Sequence, residues 1–101
     1  MEKIKNNPYF KGPSRERIEK AIVGMSLEER FKKAIENNAL WLVKQCLDDG
    51  VDPTADNNYA IQWAAGYGRT EIVKELLKDK RVRDNLNKEQ KIKYYHEIVS
   101  K

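Results

Sequence analysis

Two stretches decide the architecture: FKKAIENNALWLVKQCLDDGVDP at residues 31–53 and IQWAAGYGRTEIVKELLKDKRV at residues 61–82. They align without a gap at an offset of thirty residues, which places Ala34 under Ala64, Leu42 under Ile72, Val43 under Val73, Lys44 under Lys74 and Leu47 under Leu77. Aligned positions mostly keep size and polarity, as expected where one helical unit is built twice and each copy buries its apolar face against the next. In the second copy, small Ala64 and Ala65 let neighbouring helices approach closely, and Gly68 offers the positive φ that ends a first helix. Thr70 is placed to cap a second helix, which Ile72, Val73, Leu76 and Leu77 bury along one stripe. The repetition predicts an all-α chain, a short helix-turn-helix solenoid.

The flanks complete six predicted helical segments. Residues 1–13 contain Pro8, Gly12 and Pro13 and read as an irregular arm. Residues 14–101 form a single domain, opening with a helix over 14–25 that Ser14 caps and whose apolar face is Ile18, Ala21, Ile22 and Met25. Repeat 1 spans 26–55 and starts on a capping box, Ser26 with Glu29 three residues on. Asn37-Asn38 stands at the turn where the second copy has Tyr67-Gly68, asparagine tolerating the left-handed conformation next best after glycine. Repeat 2 spans 56–85. A last helix over 86–101 carries Ile92, Tyr95, Ile98 and Val99 at helical spacing and takes the place of a third repeat's first helix, so it is expected to cap the stack.

A chain of 101 residues is bounded to one modest core. Apolar content of 40% against 36% charged residues suits a thin stack in which each layer touches only its neighbours. No apolar run approaches the ~20 residues of a membrane span, and the opening MEKIK leads into asparagines rather than an apolar core. The expectation is a cytoplasmic protein, of the producing or host cell, with no membrane partner. Cys46 is the sole cysteine, so an intramolecular disulfide is excluded, and it aligns with Leu76 at a core position. The sole histidine, His96, lies far away in the last helix. Neither a nucleophile with its base nor a cluster of metal ligands is present. Asp48, Asp49 and Asp52 gather around Gly50, at a helix end and turn where acids bond nearby backbone. The chain therefore reads as a non-enzyme with no cofactor, no metal and no small-molecule substrate.

Lys and Arg total 20 against 16 Asp and Glu, a net charge of +4. Lys78, Lys80, Arg81 and Arg83 are the residues a nucleic-acid interface would use, together with Arg15, Arg17, Lys20 and the Lys-rich last helix. Acids interrupt each such stretch, and a mixed-charge solvated surface is the favoured reading. Trp41 aligns with Glu71, an outward position, and needs a cover. Tyr9 and Phe10 of the arm are expected to supply it, with a partner protein as the alternative, so Tyr9, Phe10 and Trp41 form a possible second surface.

Residues 60–77, AIQWAAGYGRTEIVKELL, resemble the ankyrin pattern PLHxAAxxGHxEIVxxLL at the alanine pair, the glycine and EIVxxLL. The likeness implies stacked helix pairs over roughly residues 26–85 with helical caps at both ends. Tyr59-Ala60 replaces the family's threonine-proline, leaving Asn58 or Asn57 to cap that helix, and Trp63 stands where the family has a core leucine. Ankyrin-type proteins bind protein partners through turn tips and the exposed side of their first helices. Carried over, that surface comprises Glu36, Asn37, Thr54, Asp56, Asn57, Asn58 and Tyr67. The short connection and the string DNNYAI are similar to the finger-poor repeats of giant-virus and phage ankyrin-like proteins. That resemblance implies a small protein that docks on a host protein and blocks or redirects it. A nucleic-acid-associated protein, or a structural subunit of a larger assembly, are the other expectations.

Overall fold

Helix starts and stops follow from side-chain chemistry at the ends. The computed structural model describes residues 14–99, and these contain helices and turns without strands. The helices are α1 (Arg15–Ala21), α2 (Leu27–Glu36), α3 (Leu40–Asp48), α4 (Ala55–Gly66), α5 (Thr70–Leu77), α6 (Lys80–Asp84) and α7 (Lys88–Val99). Ser14 opens α1, its hydroxyl accepting from the Arg17 amide at 3.3 Å. Ser26 opens α2 with the expected reciprocal box: its hydroxyl accepts from the Glu29 amide at 3.2 Å, and the Glu29 carboxylate accepts from the Ser26 amide at 2.9 Å.

The repeat is realised down to individual backbone bonds. At the end of α2, Asn38 takes φ 54, the Ala39 amide donates to the Ala34 carbonyl at 2.8 Å and the Asn38 amide to Ile35 at 3.2 Å. Thirty residues on, Gly68 takes φ 72, the Arg69 amide donates to Ala64 at 2.7 Å and the Gly68 amide to Ala65 at 3.1 Å. Both are left-handed closures that satisfy the last helical carbonyls and reverse the chain. Two antiparallel hairpins result, α2 with α3 and α4 with α5. They lie side by side, first helix against first and second against second.

Between them sits one core. Phe31, Ala34, Ile35, Leu42, Val43, Cys46, Ala60, Ile61, Ala64, Ile72, Val73, Leu76 and Val82 are at most 1% exposed. The alanines at aligned positions 34 and 64 are both fully buried, which fits their role of letting helices approach. Arg69 ties the hairpins polarly: its guanidinium donates to the Glu36 carbonyl at 2.8 Å and to Ile35 at 3.4 Å, satisfying the end of α2 from the neighbouring pair. Arg83 does the same within its own layer, donating to the Leu77 and Lys78 carbonyls at 2.9 Å each at the end of α5.

Several expectations are corrected. Thr70 does not cap α5; Arg69 holds that position and Thr70 is already helical, because the left-handed turn delivers the chain one residue early. Ala21 is exposed, and α1 buries only Ile18, with Ile22 buried at its C-cap and Met25 partly covered. A seventh helix, α6, forms beyond the six expected: Asp79 accepts from the Arg81 amide at 2.9 Å and Val82 is fully buried beneath it. The last helix also turns a different side inward. Tyr94 is 3% exposed and Ile98 partly buried, whereas Ile92 and Val99 stand 62% and 77% exposed and Tyr95 40%. α7 packs on α5, and Tyr94 rather than Ile92 is its anchor. Truncating Tyr94→Ala is therefore expected to cost about 3 kcal/mol, while Ile92→Ala changes stability by less than about 0.5 kcal/mol. Denaturant midpoints of the two variants check the order, and the reverse order would reinstate the expected face.

Candidate functional site

The connection into α4 is held by short polar side chains. Asp52 accepts from the Thr54 amide at 2.9 Å and from the Thr54 hydroxyl at 2.7 Å, and these bonds pull its carboxyl below the usual carboxylate range. Asp56, Asn57 and Asn58 then take φ 55, 63 and 65, one turn of left-handed backbone. Each such residue costs roughly 1–2 kcal/mol in a generic side chain, and Asp and Asn bear it best. The turn is held at both ends: the Asn58 amide donates to the Thr54 carbonyl at 2.9 Å, and the Gln62 side chain reaches back to the Asn57 carbonyl at 2.9 Å. The cap expected from Asn57 or Asn58 does not form: Thr54 holds the N-cap place and makes no side-chain cap bond. Asn58 instead turns inward, 5% exposed, with its Nδ2 toward the Val82 carbonyl at 3.5 Å.

Beyond that turn, α4 carries an aromatic ridge at i, i+4, i+8. Tyr59 and Trp63 meet edge to face with centroids 5.3 Å apart and planes at 86°, and Trp63 meets Tyr67 at 6.2 Å and 75°. Phe31 of α2 anchors the inner end, 6.4 Å from Tyr59. Trp63 is 37% exposed and Tyr67 51%, so Trp63 is not a core residue. Ala60, Ile61 and Ala64 are fully buried on that helix, with Tyr59 and Ala65 packed beside them, which leaves the indole on the flank. Lys32 lies 5.4 Å over the Tyr59 ring and Arg69 lies 5.6 Å over Tyr67, within cation–π range. Because Arg69 also bonds the Glu36 carbonyl, it joins the end of α2 to the ridge.

The expected partner-binding set therefore falls into two groups. Glu36, Asn37 and Tyr67 lie at the Arg69 junction; Asn37 spends its amide on the Lys33 carbonyl at 3.0 Å, and Glu36 pairs with Lys33 at 3.5 Å. Thr54, Asn57 and Asn58 instead line a polar cleft with Gln62, Asn85, Asn87 and Gln90. Asp56 is exposed beside it. Gln62 also borders a shallow slot with Trp63, Gly66 and Tyr67, so the two groups share one continuous surface. Sequence reasoning missed Tyr59, Trp63, Gln62, Arg69, Asn85, Asn87 and Gln90. The four-residue spacing of Tyr59, Trp63 and Tyr67 was the available signal for the ridge.

Trp41 is half-buried against the core, and the Arg15 guanidinium lies over its ring at 4.3 Å. Tyr9 and Phe10 lie outside the described residues. Four basic residues of the nucleic-acid alternative have partners within the chain. Lys78 pairs with Glu75 at 3.3 Å, Lys80 with Asp84 at 2.7 Å, Arg81 with Asp79 at 2.8 Å, and Arg83 caps α5. The Arg81 hydrogen bonds hold Asp79 below the usual carboxylate range, and Lys80 does likewise for Asp84. Cys46 is 1% exposed, and burial, with Asp49 adding, pushes its thiol up from 9.0 to about 11. Among the described residues no group of His, Cys, Asp and Glu is arranged to hold a metal, and no helix is long and apolar enough to cross a membrane. Comparison of the chain with protein-family models, curated proteins and solved structures found no match.

Two outcomes follow from this geometry. Asn57→Ala is expected to cost about 1 kcal/mol although the side chain is exposed, and Asn57→Gly to cost nothing, because only the alanine resists the left-handed backbone; equal melting of the two variants would contradict the turn. Burial also raises Tyr59 from 10.0 to about 12. Cys46 and Tyr59 hold their protons more tightly folded than unfolded. Their contribution to stability is therefore complete below the ordinary values of 9.0 and 10.0 and is lost as pH rises through about 11 and about 12. Melting followed upward from neutral pH should fall through this alkaline range, and less steeply in Cys46→Ala.

Proposed function

We propose that this chain is a non-catalytic protein-binding module of ankyrin-like build, with α1 and α7 closing its ends. The observation that carries the reading is the ridge Tyr59, Trp63 and Tyr67. Three aromatic side chains follow one another along a first helix, with the outer two substantially exposed. Tyrosine and tryptophan combine large contact area with few rotatable bonds and dominate the energetic centres of protein interfaces. Polar Gln62 borders the ridge at Trp63 and Tyr67, and Arg69 joins it to the Glu36 carbonyl, as a polar rim borders an interface core. Edge-to-face packing pre-orders the rings, which reduces the entropy lost on docking.

The resemblance to short viral and phage repeats supports a stoichiometric use, in which the chain docks on a host protein in the cytoplasm and blocks or redirects it. The competing nucleic-acid reading finds its best support in the same ridge, since Lys32 and Arg69 beside the rings resemble a base-stacking platform. It is weakened by the ion pairs and caps that engage Lys78, Lys80, Arg81 and Arg83.

The test recovers the partner from the producing cell at low and high salt and measures its affinity for variants of the full chain. Tyr67→Ala is expected to weaken binding by about 2 kcal/mol or more with melting unchanged. Lys80→Glu with Arg81→Glu is expected to alter mainly the association rate. Loss of binding with the charge reversals and none with Tyr67→Ala would overturn the reading in favour of nucleic acid.

A further inference from the structure

The cleft between the connection into α4 and the start of α7 is lined by Thr54, Asn57, Asn58, Gln62, Asn85, Asn87 and Gln90, with a volume of about 480 Å³. It holds six carboxamides and one hydroxyl and no charged side chain. A phosphate, a carboxylate or a metal ion would find no counter-charge there, so the cleft suits an uncharged polar group. Its deepest member is Asn58, 5% exposed, whose Oδ1 is fully buried with no hydrogen-bond partner among the described residues. A buried acceptor left unmatched is costly, so the cleft floor is held in place at the expense of one polar atom.

The bonds already made fix which end of each amide faces the ligand. A backbone carbonyl only accepts, so a carboxamide bonded to one must present its NH2 to it and keep its oxygen free. Gln62 donates to the Asn57 carbonyl at 2.9 Å, Asn58 to Val82 at 3.5 Å and Asn85 to Arg81 at 3.0 Å. Gln62 and Asn85 therefore offer acceptors to the cleft, while the Asn58 oxygen stays buried beside them. A backbone N–H only donates, and here the pattern inverts: the Asn87 amide donates to Gln90 Oε1 at 3.0 Å and the Gln90 amide to Asn87 Oδ1 at 2.7 Å. Asn87 and Gln90 cap α7 with their oxygens and keep their NH2 groups. Acceptors thus come from the α4 side and from Asn85, and donors come from the first turn of α7.

We infer that this cleft binds the main chain of an extended peptide segment of a partner protein. A trans peptide unit is planar and points its N–H and C=O to opposite sides, so it meets separate acceptors and donors where a sugar hydroxyl, which donates and accepts through one oxygen, gains nothing from the separation. Gln62 lines both this cleft and the slot beside Trp63 and Tyr67. The segment therefore runs from the cleft onto the ridge, with its main chain held by the amides and an apolar side chain against the rings. The assignment rests on the protein-binding reading and supplies its chemistry: recognition of main chain, with sequence preference left to the ridge.

The test uses the isotope-labelled full chain and a tetra-alanine peptide blocked at both ends, followed by the side-chain NH2 resonances in NMR. The peptide should shift the Asn87 and Gln90 resonances saturably. An analogue with one central amide replaced by ester, which removes an N–H, should bind about tenfold more weakly, as should the variant Asn87→Asp with Gln90→Glu. That variant keeps the capping oxygens of α7, removes the outward donors and adds two carboxylate charges at a helix N-terminus, which tolerates them, so its backbone spectrum and melting should persist; Asn87→Ser with Gln90→Glu, which lowers the added charge to one while still removing both amide donors, should weaken the peptide to a similar extent. No shift with the peptide, equal affinity of the ester, unchanged affinity of the variant, or stronger shifts with methyl glucoside would each overturn the proposal. A recovered partner that binds this variant at full strength but not Tyr67→Ala would remove the cleft and leave the aromatic reading standing.

Discussion

In each helical pair one backbone amide reaches back across a left-handed residue to a carbonyl five positions earlier, and the rest of the structure depends on that closure. Ala39 to Ala34 and Arg69 to Ala64 are the same bond in two copies, at 2.8 and 2.7 Å. Without the reversal at Asn38 and Gly68, α3 and α5 would not return along α2 and α4, and Leu42, Val43, Ile72 and Val73 would have nothing to bury against. Because the closure satisfies carbonyls that a helix end leaves open, it fixes direction and removes a polar penalty in one step.

Stacking two hairpins creates a second problem, since each layer presents helix ends to its neighbour. Arginine solves it twice. Arg69 reaches the end of α2 from the next pair, and Arg83 closes α5. Their charge is thereby committed to main-chain carbonyls, while Arg81, Lys80 and Lys78 are committed to acids one helical turn away or less. Among the described residues these cations are consequently matched by carbonyls and acids close at hand. Exposed pairs of this kind add little stability individually, and their main effect is to neutralise the surface.

The candidate binding surface lies where the polypeptide is least ordinary. Three consecutive left-handed residues store strain that the Gln62 bond to Asn57 and the burial of Asn58 hold in place. On one side of that turn the amides of Asn85, Asn87 and Gln90 complete a cleft, and on the other the rings of Trp63 and Tyr67 stand clear of the core. α7 makes the cleft possible by packing on α5 through Tyr94, which brings its capped first turn opposite the connection into α4.

The sequence by itself determined what local and periodic chemistry can determine. The thirty-residue offset, the Ser26 and Glu29 box, the left-handed places at Asn38 and Gly68, and the burial of Cys46 all follow from interactions within a few residues or from an apolar stripe with one possible inside. Only the tertiary structure decided which of two competing faces turns inward. On α7, Ile92, Tyr95 and Val99 make as good a stripe as Tyr94 and Ile98, and the contact with α5 chose the second. On α4, the small residues Ala60 and Ala64 fill the tight inner contact and displace Trp63 to the flank. Asn58 and Asn87 lie far apart in sequence, and neither names the other. Their meeting in one cleft is a consequence of how α7 docks, and local propensity carries no information about docking.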